Sequence, residues 1–434
     1  MKLGWHTLGK SFECECGIRH ELPIEACHVG TDAAEELARF AHGRCGERCL
    51  VVSDENTRAA AGEKPLSLLG MAHKKIEEHI FRADACDATI ETADAVAEAG
   101  RDCDFYVAVG SGTVSDLAKA AGSKQEKPVL LYPTAASMNG YSSAIVALKV
   151  RGLKATLPCR TATGIFADPE IAAAAPPRMT AAGVADFLSK CSSAADWRVG
   201  HVLRGGYYCS RPREFNEGIQ ARIFERAPAI GRGEPEAVQL VLEALMLSGF
   251  GMVIAGSSAP ASGGEHLISH YLDMKHALRG TPVDLHGAQV GVATVYTLGL
   301  WEKVLSVDTR ALDIEALAAV QPSQEEVRAW VIEDWGEQVG EEVWAQWSQK
   351  ALSPGGLREE LRTFGDKLPE LRAALSEELE PAGVVARCIE EAGGPSRPEA
   401  MTASTEEYYN ALRRARFIRN RLTVLDLAAE LGLA

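Results

Sequence analysis

The chain has 434 residues, 46% of them hydrophobic, with 45 Lys and Arg against 60 Asp and Glu and a net charge of −15. That length and apolar content suffice for one or two substantial cores, with two domains as the default division. So acidic a balance argues against nucleic acid or an anionic membrane surface as the main partner, so attraction for an anionic substrate would have to be local. The opening Met1-Lys-Leu-Gly-Trp-His has no apolar run of secretory length, and no uninterrupted apolar segment reads as a membrane span. A cytoplasmic protein is expected. Eleven cysteines, an odd number scattered along the chain, fit reduced thiols better than a disulfide framework.

The first feature is Cys14-Glu-Cys16-Gly with His20. These are zinc-ligand residue types, but no CxxC pair completes them, and the stretch reads as a short hairpin. Asp32 to Arg44 has helical composition and periodicity. Arg48-Cys-Leu-Val-Val-Ser53 is a compact apolar run that meets a helix cap at Asp54, with a helix from Thr57 onward. A strand at His79-Ile-Phe-Arg82 and an Ala-rich helix from Ile90 to Gly100 follow. Alternation of strand and helix favours a parallel sheet.

Asp104-Phe-Tyr-Val-Ala-Val109 then enters Gly110-Ser-Gly-Thr-Val-Ser-Asp116. A strand, a glycine turn and a helix aim backbone N–H groups at a phosphate, although Ser115 stands where the last glycine of GxGxxG would be. Val129-Leu-Leu-Tyr132 is a further buried strand, ending in the polar loop Pro133 to Gly140 at the edge where ligands of open α/β sheets bind. Residues 144 to 167 are β-like around Pro158, and Ala172 to Pro177 marks the expected boundary between an α/β domain, 1–176, and a helical domain, 177–434. Val238 to Ala255 reads as a buried soluble helix. Residues 321 to 400 are charged, with Trp330, Trp335, Trp344 and Trp347 at helix-packing positions, and Tyr408 to Leu433 reads as a helix pair.

The stretch richest in chemistry is Ser257 to Asp273, where small residues lead into Glu265-His-Leu-Ile-Ser-His270. A four-residue step puts His266 and His270 on one helix face, and His286 opens a second helix. Neutral imidazole is the commonest protein metal ligand, and an open catalytic site takes about three protein ligands. Asp186, in an otherwise apolar and small-residue context, is the natural carboxylate ligand, since a buried carboxylate needs a partner. On spacing alone, packed core histidines remain the alternative.

This layout, an α/β half with a glycine turn and a helical half holding Asp186, His266 and His286, resembles the iron-containing alcohol dehydrogenase and dehydroquinate synthase superfamily. Within it, Gly110 to Asp116, Pro133 to Ser143, Ala167 to Glu170, Ser258 to His270 and Arg419 to Asp426 are similar to glycerol-1-phosphate dehydrogenases. The resemblance implies a Rossmann-like parallel-sheet domain followed by a helical metal-binding domain. It further implies one divalent ion, zinc, nickel or iron, on Asp186, His266 and His286, with His270 beside it as a proton-relay group. Gly110, Ser111, Gly112 and Thr113 would cradle the pyrophosphate of NAD(H) or NADP(H), with Asp116 in the same stretch. Thr134 and Ser137 would line the nicotinamide side and Asp54 would meet the adenosine ribose, where an acid disfavours a 2′-phosphate. Asn139 stands where many members carry Asp, which bears on the substrate pocket. Lys190 falls where some carry another ligand; its ammonium could instead meet a substrate phosphate.

The implied reaction is interconversion of dihydroxyacetone phosphate and sn-glycerol 1-phosphate, a small phosphorylated substrate, by a homodimer or larger oligomer. The alternatives are glycerol or polyol oxidation, a dehydroquinate synthase-like cyclisation, and a non-catalytic nucleotide-binding protein.

Overall fold

The computed structural model describes residues 2–72, 75–150 and 153–433. Its strands are β1 (Lys10–Glu13), β2 (Arg19–Leu22), β3 (Ala26–Val29), β4 (Arg48–Asp54), β5 (Lys75–Phe81), β6 (Phe105–Gly110), β7 (Val129–Pro133), β8 (Ile145–Val150), β9 (Leu153–Pro158) and β10 (Gly164–Ala167). The helices of the first part are α1 (Ala33–Arg44), α2 (Glu55–Ala61), α3 (Lys64–Met71), α4 (Ile90–Ala99), α5 (Gly112–Gln125), α6 (Pro169–Ala173) and α7 (Pro177–Leu188). They are followed by α8 (Lys190–Arg204), α9 (Ile219–Gly231), α10 (Pro235–Ala255), α11 (Gly264–Arg279) and α12 (His286–Ser306). The chain ends through α13 (Ile314–Ala319), α14 (Gln324–Trp347), α15 (Pro354–Leu375), α16 (Ala382–Glu391), α17 (Thr405–Arg414) and α18 (Val424–Glu430).

Two compact units result. The first comprises Met1–Phe187, Cys209–Ser258 and Cys388–Gly394, the second Leu188–Tyr208, Ala259–Arg387 and Pro395–Ala434.

In the first unit a six-stranded sheet has the order β3-β10-β7-β6-β4-β5, parallel at every pairing. The expected strands appear here, shifted by a residue at most except β5, which starts four residues earlier than the expected His79. Strand β3 escaped the reading because Ala-Cys-His-Val is too short and mixed to show a period. The run Cys49 to Val52 is buried throughout, as a parallel strand with both faces covered requires. One core cluster joins Val51, Val107, Val109 and Tyr132 of the sheet to Leu37 of α1 and Leu69 of α3. Each such side chain contributes about 1.5–3 kcal/mol of burial. After β4 the chain runs outward to β5 and then returns to lay β6 on β4's other flank, so the strand order reverses between Asp54 and Gly110. Open α/β sheets bind ligands at such a reversal.

The β-like stretch 144–167 splits in two. Strands β8 and β9 form a separate antiparallel hairpin, while β10 enters the main sheet between β3 and β7. Arg151 and Gly152, inside that stretch, lie outside the described residues. Asp116 of α5 holds the hairpin, its Oδ2 accepting from the Ala147 N–H at 2.9 Å. Helix α10 is long and apolar enough to cross a membrane, yet 83% of its apolar window is buried inside the protein.

Burial pushes the Asp116 carboxyl up to about 6, against the pull of Lys119. The folded pKa then lies above the unfolded one of about 3.9, so the stability this group contributes is full below about pH 4 and lost as pH rises through 6. The change is worth about 3 kcal/mol. Asp116→Asn keeps an acceptor for Ala147 and is expected to remove that pH dependence; urea unfolding at pH 4.0 and at pH 7.5, wild type against variant, measures it.

In the second unit the four tryptophans are packing residues, as their spacing predicts. Trp335 stands edge-on to Tyr271 with centroids 4.9 Å apart, and Trp330 and Trp347 flank Phe417 at 5.9 and 5.7 Å.

Candidate active site

The residues expected to face a nucleotide all lie in the first unit. Strand β6 ends at Gly110, Ser111 is the N-cap and Gly112 begins the 14-residue helix α5. The first-turn N–H groups of Gly112 and Thr113 have no intrahelical partner, which makes the turn an anion cradle. A Cβ on Gly112 would stand 2.8 Å from the Met138 sulfur, so a side chain there requires the flexible Met138 thioether to move. Asp54 ends β4 at the same edge of the sheet and caps α2, its Oδ1 accepting from the Asn56 and Thr57 N–H groups at 2.9 and 3.0 Å. Thr134 is buried at the end of β7, where its N–H meets the Gly110 carbonyl at 3.2 Å. Ser137 lies 3.1 Å from the Tyr141 hydroxyl.

The same loop carries Asn139, and Lys119 braces it by donating to the carbonyls of Gly140 and Ile145 at 2.7 and 2.8 Å. Asn139 grips Asp186 twice. Its backbone N–H donates to Asp186 Oδ2 at 2.7 Å and its side-chain amide to Oδ1 at 3.4 Å. Glycine makes this approach possible: a Cβ on Gly183 of α7, one turn before Asp186, would come within 2.0 Å of the Ala136 carbonyl oxygen. An Asp at position 139 would face Asp186 with like charge where Asn donates a hydrogen bond. Sequence reading marked Asn139 as a departure without finding this partner.

The histidines belong to the second unit. Helices α11 and α12 bring three imidazoles together, with centroids 5.1 Å apart for His266 and His286, 6.1 Å for His266 and His270, and 5.9 Å for the near-parallel His270 and His286. Two of the rings have a defined tautomer. His266 Nδ1 lies 2.9 Å from Glu265 Oε1, a carboxylate oxygen that accepts, so Nδ1 carries the proton. Ser269 donates its single hydroxyl proton to Gln289 Oε1 at 2.7 Å and so must accept from His286 Nδ1 at 3.0 Å. In both rings Nε2 therefore holds the lone pair, as a metal ligand requires. Lys190, expected near a substrate phosphate, begins α8 with a buried side chain.

Sequence reading missed what supports His266. Asp196 accepts from the Gly264 and Val424 N–H groups at 2.7 Å each, fixing both the start of α11 and the Arg419–Asp426 stretch. Burial and the neighbouring Glu265 push the Asp196 carboxyl well above the ordinary range. Arg421 meets the Ser262 carbonyl, and its charge is felt by both acids. No local pattern announces such a network, because its members are up to 228 positions apart.

Comparison with known proteins identifies the family and the fold. The family model described as iron-containing alcohol dehydrogenase matches residues 28–176. Among solved structures, an iron-containing alcohol dehydrogenase from Corynebacterium glutamicum superposes with a TM-score of 0.59 at 17% identity, covering 96% of this chain and 98% of that one. A sulfoacetaldehyde reductase from Bifidobacterium kashiwanohense in complex with NAD+ also gives 0.59, at 16% identity, covering 95% and 97%. At those identities the likeness is one of fold. In sequence, a glycerol-1-phosphate dehydrogenase [NAD(P)+] from Bacillus velezensis is 34% identical over 300 residues, 68% of this chain and 75% of the relative. One from Thermococcus sibiricus is 33% identical over 293 residues, 65% of this chain and 80% of the relative. With a third of the aligned residues shared across three quarters or more of these relatives, the chain belongs to the glycerol-1-phosphate dehydrogenase family.

Proposed function

We propose that the protein interconverts dihydroxyacetone phosphate and sn-glycerol 1-phosphate with NAD(H) or NADP(H). The observation that carries the catalytic half is the pair of imidazoles, His266 and His286, each with Nδ1 protonated by its hydrogen bond and Nε2 left as donor. That donor chemistry fits a divalent ion of the zinc, nickel or iron(II) type, and Asp186, already oriented by Asn139, is proposed as the third ligand. When bound, such an ion supplies Lewis-acid polarisation of a carbonyl, and the nicotinamide supplies the hydride.

The chain's own groups do the rest. The Gly110–Thr113 turn receives the pyrophosphate, and the Asp54 carboxylate disfavours a ribose 2′-phosphate, so NAD(H) is favoured over NADP(H). Thr134 and Ser137 line the nicotinamide side. Asn139 holds Asp186 without adding a second negative charge. His270, packed against both ligand imidazoles, is the proposed proton relay to the substrate oxygen, and Lys190 the counter-charge for the substrate phosphate. In this division residues 1–176 bind the dinucleotide and 177–434 the metal and substrate. A cytoplasmic homo-oligomer, at least a dimer, completes the reading.

NADH and NADPH oxidation with dihydroxyacetone phosphate, after stripping and adding back single metals, is the test. Turnover on the phosphate ester that exceeds turnover on dihydroxyacetone or glycerol by orders of magnitude supports the reading. Equal turnover on unphosphorylated substrate would replace it with a polyol dehydrogenase.

A further inference from the structure

The N-terminal hairpin holds a second cluster of metal-ligand side chains, entirely within the first unit. Strands β1 and β2 pair with Phe12 opposite His20 and Glu13 opposite Arg19. Their connection turns tightly: Gly17 adopts φ +83° and its N–H meets the Cys14 carbonyl at 3.0 Å, so Cys14 and Cys16 project from one end of the hairpin. The reading of this stretch as a hairpin was right. The missing partner is Cys209, which is buried beside them although 195 positions from Cys14.

The distances have the pattern of a tetrahedral site. Cys14 Sγ and Cys209 Sγ are 3.8 Å apart, Cys209 Sγ and His20 Nε2 3.5 Å, Cys16 Sγ and His20 Nε2 3.2 Å, and all four donor atoms lie within 4.8 Å of one another. Ligands at about 2.3 Å for sulfur and about 2.1 Å for nitrogen around a tetrahedral zinc stand about 3.8 Å apart for two sulfurs and about 3.6 Å for sulfur and nitrogen. The imidazole is also held from behind by a hydrogen bond to the Ile254 backbone in α10, the kind of outer contact that orients a ligating histidine. We propose that Cys14, Cys16, His20 and Cys209 bind one zinc ion in a closed, structural Cys3His site. Four protein ligands leave no position for substrate, so the ion does no chemistry. It pins the β1–β2 hairpin to the segment that leads into the turn Arg211–Asn216, which packs on α10. A disulfide is the competing use of these thiols. It would engage only two of the three sulfurs and would require a pair to close to about 2.05 Å.

The inference does not depend on the dehydrogenase reading, and the experiment separates the two ions. Full-length protein is purified and its metal content measured by mass spectrometry beside Cys209→Ser, His20→Ala and His266→Ala variants. One zinc per chain should disappear in Cys209→Ser and His20→Ala and persist in His266→Ala. Protein produced with cobalt should show intense thiolate-to-cobalt charge-transfer bands that Cys209→Ser loses and His266→Ala keeps. Should the hairpin variants fail to fold, mercurial titration of wild type in the presence of a zinc-responsive dye decides: release of one zinc in step with thiol modification supports the site. Wild-type protein with no thiol-linked zinc, or a Cys14–Cys209 disulfide in the intact mass, overturns it.

Discussion

His266→Ala is expected to lower kcat/KM by at least about a thousandfold and to release the catalytic ion, leaving the fold in place. Lewis-acid polarisation is worth several kcal/mol of transition-state stabilisation, and each 1.36 kcal/mol is a factor of ten. The ring is buried and oriented by Glu265, whose Oε1 also accepts from the Gly263 N–H at 2.6 Å. Removing the ring deletes a proposed ligand that no neighbour replaces in kind, because His270 stands 6.1 Å away on the next turn of the same helix. Glu265→Gln supplies the contrast. It keeps an acceptor for Nδ1 but loses the charge, so metal affinity should fall by about 10–100-fold while saturating metal restores turnover. Metal titrations followed by NADH oxidation distinguish the two variants. Full turnover of His266→Ala in chelator would sink the proposed ligand set.

Local patterns were legible and long-range partners were not. The Gly110–Thr113 turn, the Asp54 cap and the two histidine-bearing helix starts announce themselves through glycine, cap residues and four-residue spacing, all of which act within a few positions. The partners that give those residues their chemistry lie elsewhere. Asn139 and Asp186 are 47 positions apart, Ser269 and His286 17, and Cys14 and Cys209 195. The cysteines show the difference most clearly. Cys14, Cys16 and His20 are visible as a group, but a fourth ligand beyond the next eight helices cannot be recognised by spacing. Strands β8 and β9 were visible as β-structure, yet their departure from the main sheet depends on Asp116 and Lys119 of α5, which hold the hairpin and the loop before it. The Arg419–Asp426 stretch carries a family resemblance whose physical basis emerges only when Val424 is seen to satisfy Asp196.

That last stretch yields the largest stability effect expected of a single substitution. Lys350 and Asp426 form a buried ion pair, with Nζ 2.8 and 2.7 Å from the two carboxylate oxygens and 2.8 Å from the Arg421 carbonyl. Burial pulls the Lys350 ammonium below its ordinary pKa, against the opposing charge of Asp426. Asp426 also accepts from the Thr423 N–H at 3.0 Å, closing the first turn of α18. Asp426→Ala leaves the ammonium buried without its counter-charge and is expected to destabilise by about 3–5 kcal/mol, with a further ~1 kcal/mol from the lost cap. The double variant Lys350→Met, Asp426→Leu removes both charges and should recover most of the ion-pair part, since replacing a buried pair by apolar side chains is often neutral. Chemical denaturation of the two single variants and the double measures the coupling. Because Val424 and Gly264 share Asp196 as acceptor, loosening α18 should also loosen the start of α11 and weaken metal binding at His266. An Asp426→Ala protein as stable as wild type would mean that water reaches Lys350 and that this network does not hold the histidine helix.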